Sequence, residues 1–141
     1  MMKSTAPTLI FECANSHGGK FDLLISTINS FSKIEYPESH IKFQPLQADT
    51  ISLSDFPFYD TYKELEFSND QWWEIIDTAH KKYQGVWLDI FDIFGVKILN
   101  DNLKKITGIK LQASVLGNYE VISLLKIRLP QQIIDLLRND R

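Results

Sequence analysis

The stretch HIKFQPL, residues 40–46, carries the pattern that decides the fold. Successive side chains of an extended strand point to opposite faces. Ile41 and Phe43 therefore share one face, while Lys42 and Gln44 share the other. A parallel strand covered on both faces reads as nearly continuous Val, Ile and Leu. Here one face is apolar and the other carries an ammonium and an amide.

Three more short apolar runs, bounded by turn formers, repeat the pattern: TLIFECA (8–14), GVWLDIF (85–91) and GIKLQAS (108–114). Leu9 and Phe11 oppose Ile10 and Glu12. Val86, Leu88 and Ile90 oppose Trp87, Asp89 and Phe91. Ile109 and Leu111 oppose Lys110 and Gln112. One face suits packed helices. The other gathers Glu12, Lys42, Gln44, Asp89, Lys110 and Gln112. Left unpaired and buried, such groups would cost several kcal/mol each. They must pair with one another, with water or with a ligand. A half-open sheet with a wet face meets that demand. So does a barrel lumen with a charged ligand at its C-terminal mouth, where lysines act as point charges on phosphate or carboxylate.

Helical patterns separate the strands. Phe21, Leu24, Ile25, Ile28 and Phe31 form a stripe over about 20–34. Ser68 and Gln71 form a capping box before Trp72, Ile75, Ile76, Ala79 and Tyr83. A third helix begins near Asp92 with Val96, Leu99, Leu103 and Ile106 inward. Asn118 caps a fourth with Val121, Leu124 and Leu125 inward. The connection 46–67 is long enough to suggest function, and FYDTYKEL (58–65) within it predicts a short helix. The tail RLPQQIIDLLRNDR (128–141) reads as a last helix or the approach to another strand. The order is β-α-β-α-β-α-β-α: an α/β fold with a parallel sheet, either open and doubly wound or part of a (β/α)8 barrel. A full barrel takes about 250 residues, and this chain supplies about four βα units.

The whole chain of 141 residues reads as one domain, with 44% hydrophobic and 23% charged residues. A net charge of −3 gives no electrostatic grip on nucleic acid or an anionic membrane. Cys13 is the only cysteine, so neither an internal disulfide nor a zinc spacing exists. It reads as a small buried hydrophobe. His40 and His80 read as surface residues. The N-terminus lacks the apolar core of a signal peptide, and the expected location is cytoplasmic.

FECANSHGG (11–19), IKFQPLQADT (41–50), LEFSNDQWWEII (65–76), WLDIFD (87–92) and IKLQASVLGNYEVISLL (109–125) occur in an order that resembles the N-terminal half of N-acetylneuraminate (sialic acid) synthases. The resemblance spans roughly residues 8–126. It implies the first half of a (β/α)8 TIM barrel whose members condense phosphoenolpyruvate with an N-acetylated amino sugar, C3 of the former attacking the aldehyde of the latter. It also implies a divalent metal, Mn or Mg, whose ligands belong to the barrel's second half; this chain is expected to hold no metal and to be inactive alone. By motif, Lys42 and Lys110 match the lysines that hold phosphoenolpyruvate. Glu12, matched near the sugar, takes the catalytic role, and Gln44 lies beside it. His17, Ser114 and Asp89 complete the implied substrate-binding set. The sequence departs from the family pattern at Ser16, Asp89 and Ala113, where asparagine, a small hydroxyl residue and serine are usual; Asp89 would repel an anion unless a lysine pairs with it. A non-catalytic half-barrel that binds a small molecule or a partner is the alternative. Either form could self-associate through its open sheet edges.

Overall fold

The computed structural model describes residues 7–128. Four strands, β1 (Leu9–Ala14), β2 (Ser39–Phe43), β3 (Gly85–Ile90) and β4 (Gly108–Leu111), form one sheet in the order β1-β2-β3-β4. Every pairing is parallel. The helices are α1 (Phe21–Phe31), α2 (Ala48–Ile51), α3 (Tyr59–Glu64), α4 (Asn69–His80), α5 (Ile93–Asp101) and α6 (Tyr119–Arg128), and a 3-10 turn covers Ala113–Val115. Strand order without a reversal distinguishes the two closures. A doubly wound sheet reverses at a switch point, whereas each crossover here steps to the next strand in the same direction, as in a barrel. The fold is a partial (β/α)8 barrel of four βα units. The main helices that connect or follow the strands contact one another in turn, α1 with α4, α4 with α5 and α5 with α6.

The alternation in the sequence sorts the faces. Ile41, Phe43, Val86, Leu88 and Ile90 are buried against Leu24, Ile28, Trp72, Ile75, Ile76 and Ala79 in one core. Ser68 caps α4 with both halves of the capping box, Gln71 N–H donating to Ser68 Oγ and the Ser68 N–H to Gln71 Oε1. Asn118 accepts from Val121 N–H at the start of α6.

Three expectations need correction. The third helix ends at Asp101, so Leu103 is exposed and Phe94 and Ile98 complete the buried stripe; Asn102 stops it, its Nδ2 donating to the Ile98 carbonyl at 2.9 Å. In α6, Val121 and Leu125 are buried and Leu124 is exposed. His40 is buried, not superficial: it accepts from Trp87 Nε1 at 2.9 Å and meets Glu38 at 3.1 Å. Gly85 and Gly108 make room for that pair, because a Cβ on Gly85 would strike the His40 ring and one on Gly108 the Trp87 ring. The helix expected at 58–65 is α3. The tail expectation falls on residues beyond Arg128, outside the described part of the chain.

Candidate functional site

Register turns a list of polar residues into a constellation. Glu12 of β1 lies opposite Lys42 of β2, and Asp89 of β3 lies opposite Lys110 of β4. Both pairs close as ion pairs. Lys42 Nζ contacts Glu12 Oε2. Lys110 Nζ donates to Asp89 Oδ2 at 2.7 Å. The same oxygen accepts from Gln112 Nε2 at 3.1 Å and from Gln44 Nε2 at 3.3 Å. Asp89 is fully buried and forms the hub, while Lys110 is half exposed. Among the described residues Asp89 Oδ1 has no hydrogen-bond partner. The Asp89 hydrogen bond pushes the Lys110 ammonium pKa above its ordinary value. The six polar residues read from alternation thus share one face, and two cations stand against two anions.

Beyond the C-terminal ends of the strands lies a cavity of about 470 Å³. Residues that follow all four strands line it, among them Asn15 after β1, Leu46 after β2, Phe91 after β3 and Ser114 after β4. Of the proposed binding residues, Ser114 lines the cavity, whereas Lys42, Gln44, Asp89 and Lys110 stand on the sheet face. His17 packs on Phe67 with ring centroids 4.6 Å apart, and its Nδ1 accepts the Gly19 N–H at 3.0 Å. Its ring is buried, and burial lowers its pKa. His17 therefore shapes the turn after β1 and does not line the cavity. Cys13 is buried, its thiol pushed up to about 12 by burial and then by Glu12, which removes it from nucleophilic chemistry at neutral pH.

Sequence reading missed Thr50 and Tyr62, which also line the cavity. Both lie in the connection 46–67, whose length was the only signal. Asp92 fixes that connection. Its Oδ1 caps α5 at Gly95 N–H, 2.7 Å, while Oδ2 accepts from Gln47 N–H at 2.8 Å and from Thr50 Oγ1. Glu66 accepts from Ala48 N–H at 2.8 Å.

Among the described residues no group of three His, Cys, Asp or Glu side chains converges as a metal ion would require. The described residues alone do not supply the ligand set of a resident divalent cation. No described helix is long and apolar enough to cross a membrane.

No protein-family model matches the sequence, and no curated protein matches it significantly. Solved structures do match. An N-acetylneuraminic acid (sialic acid) synthetase from Leptospira borgpetersenii, solved in complex with citrate, superposes with a TM-score of 0.70 at 18% identity, covering 84% of this chain and 41% of that one. A spore coat polysaccharide biosynthesis protein from Bacillus subtilis gives 0.59 at 20% identity, covering 87% and 33%. This chain spans well under half the length of either protein, and at these identities the likeness establishes a shared fold over the four βα units.

Proposed function

We propose that the chain is part of a sialic acid synthase-like enzyme that condenses phosphoenolpyruvate with an N-acetylated amino sugar such as N-acetylmannosamine. The observation that carries this reading is the gathering of Glu12, Lys42, Gln44, Asp89, Lys110 and Gln112 on one sheet face below a cavity at the strand C-termini, the end at which barrel enzymes place their sites. Lys42 and Lys110 hold the carboxylate and phosphate of phosphoenolpyruvate. Glu12 and Gln44 orient the open-chain sugar, and Glu12 moves its protons. Ser114 contributes a hydroxyl from the cavity wall. C3 of phosphoenolpyruvate bonds to the aldehyde carbon, whose oxygen takes a proton; water adds at C2 and phosphate leaves. The outer edges of β1 and β4 take the strands that complete the barrel.

Calorimetry with phosphoenolpyruvate on the full chain tests this reading. Binding should weaken in Lys42→Ala and in Lys110→Ala; affinity unchanged in both would remove the assigned roles. A second reading, a sugar-binding half-barrel without chemistry, has one observation in its favour. Among the described residues the cavity lining, which includes Asn15, Thr50, Tyr62, Ser114 and Asn118, carries no charged side chain and suits an uncharged polyol. Binding of the sugar without phosphoenolpyruvate would select it.

A further inference from the structure

We propose that Asp89 is an internal competitor for the anionic substrate: its carboxylate occupies the donors an incoming phosphate would use, and it holds the anion affinity of this face down. The inference rests on the functional reading only in taking this face to be the anion's place.

The donors are already spent. Lys110 Nζ, Gln112 Nε2 and Gln44 Nε2 all converge on Asp89 Oδ2, at 2.7, 3.1 and 3.3 Å. One ammonium and two amide N–H groups around one oxygen is a set a phosphate oxygen would accept equally well. The remaining cation of the face, Lys42, is paired with Glu12. Two ammonium groups against two carboxylates leave no net positive charge there. Asp89 is the penultimate residue of β3, an interior strand of the sheet, and is fully buried, so it cannot swing away into solvent as a surface carboxylate would. Lys110 is different: its side chain is 44% exposed and is the part of the pair that can turn toward a ligand. An anion that recruits Lys110 must therefore leave Asp89 buried with fewer donors, and it approaches a fixed like charge. Both effects weaken binding.

Replacing Asp89 by its uncharged isostere removes the competitor and keeps the shape. The test uses the full chain and inorganic phosphate. Affinity is measured by calorimetry in the native protein, in Asp89→Asn and in Asp89→Asn/Lys110→Ala, with circular dichroism as the check on folding. The expected result is about tenfold tighter phosphate binding in Asp89→Asn, lost again in the double variant. A folded Asp89→Asn that binds phosphate no more tightly than the native chain overturns the proposal. So does a gain that survives removal of Lys110.

A readout on the native chain covers the case in which the variant fails to fold. Lysine methylation mapped by mass spectrometry should show phosphate protecting Lys110 no more than the exposed Lys97; strong protection of Lys110 in the native chain overturns the proposal. The outcomes also separate this inference from the condensation reading. Tighter phosphate binding in Asp89→Asn with no preference for phosphoenolpyruvate over phosphate sustains the internal competitor and removes the proposed substrate.

Discussion

Asp89 and Lys110 are direct partners in register across β3 and β4, and their side chains close at 2.7 Å. The bond is asymmetric, because the carboxylate is fully buried and the ammonium is half exposed. Water can replace the carboxylate as a partner for Lys110. Among the described residues, the side-chain donors left to Asp89 without the ammonium are Gln44 and Gln112.

The first prediction follows from that asymmetry. Lys110→Ala should destabilise the chain more than Asp89→Asn does. In Lys110→Ala a buried carboxylate loses its counter-ion, at a cost of about 2–3 kcal/mol borne by Asp89. In Asp89→Asn no buried charge is left without a counter-ion. Urea unfolding of the two variants checks the order; equal midpoints would show that Asp89 is solvated in solution.

The second prediction concerns two neighbouring glycines. Gly18 and Gly19 both hold positive φ, +52° and +73°, a conformation that L side chains resist. A Cβ on Gly18 meets nothing within 4 Å, whereas one on Gly19 would lie 1.8 Å from the Glu64 carbonyl oxygen. Gly18→Ala should cost about 1 kcal/mol. Gly19→Ala must also push the end of α3 off the turn after β1, and should cost at least about 3 kcal/mol. Thermal melts of both variants decide it.

How far the sequence carries this site depends on which property is asked of it. Period-two alternation placed Lys42, Gln44, Asp89, Lys110, Gln112 and Glu12 on one face, because facing depends only on parity within a strand. Pairing depends on register between strands, which connections of different length and the β1 irregularity between Glu12 and Ala14 set together. Alternation therefore gave the face and could not say that Asp89 would collect three donors. His40 illustrates the same limit. Its burial comes from Trp87 on the next strand and from the space left by Gly85, neither of which local pattern reveals. The early stop of α5 is local but subtle: Asn102 competes for the last turn through its side chain, while the apolar spacing runs on past it.

The third prediction is a pH dependence. Burial holds the His17 pKa below its ordinary 6.5, since desolvation penalises the imidazolium. As pH falls, the unfolded chain takes up the proton first. Stability is therefore constant above about pH 7 and declines as pH drops through 6.5 toward the lower folded value. His17→Leu should flatten that part of the decline while costing about 1 kcal/mol for the unpaired Gly19 N–H. Urea unfolding at a series of pH values measures both. An undiminished slope in the variant would show that His17 does not carry the decline.

The fourth prediction has the opposite chemistry and a lower pH window. Asp77 on α4 accepts from Lys105 at 2.7 Å and pairs with Lys81 at 2.7 Å. Lys105 also lies 4.3 Å over the ring of the exposed Trp73, so one ammonium ties α4 to the segment after α5 twice. Lys105 first and Lys81 second hold the Asp77 carboxyl down at about 2, against an ordinary 3.8. A depressed carboxyl pKa contributes stability above the unfolded value, and that contribution is lost as pH falls through the folded one. The stability difference between the native chain and Asp77→Asn should hold steady above about pH 5 and close between 3.8 and about 2. Half-molar salt should shrink the difference at neutral pH, because Lys81 is exposed and Asp77 and Lys105 are partly so, and screening acts on them. A difference that persists at pH 2 would mean that Asp77 acts through packing rather than through its charge.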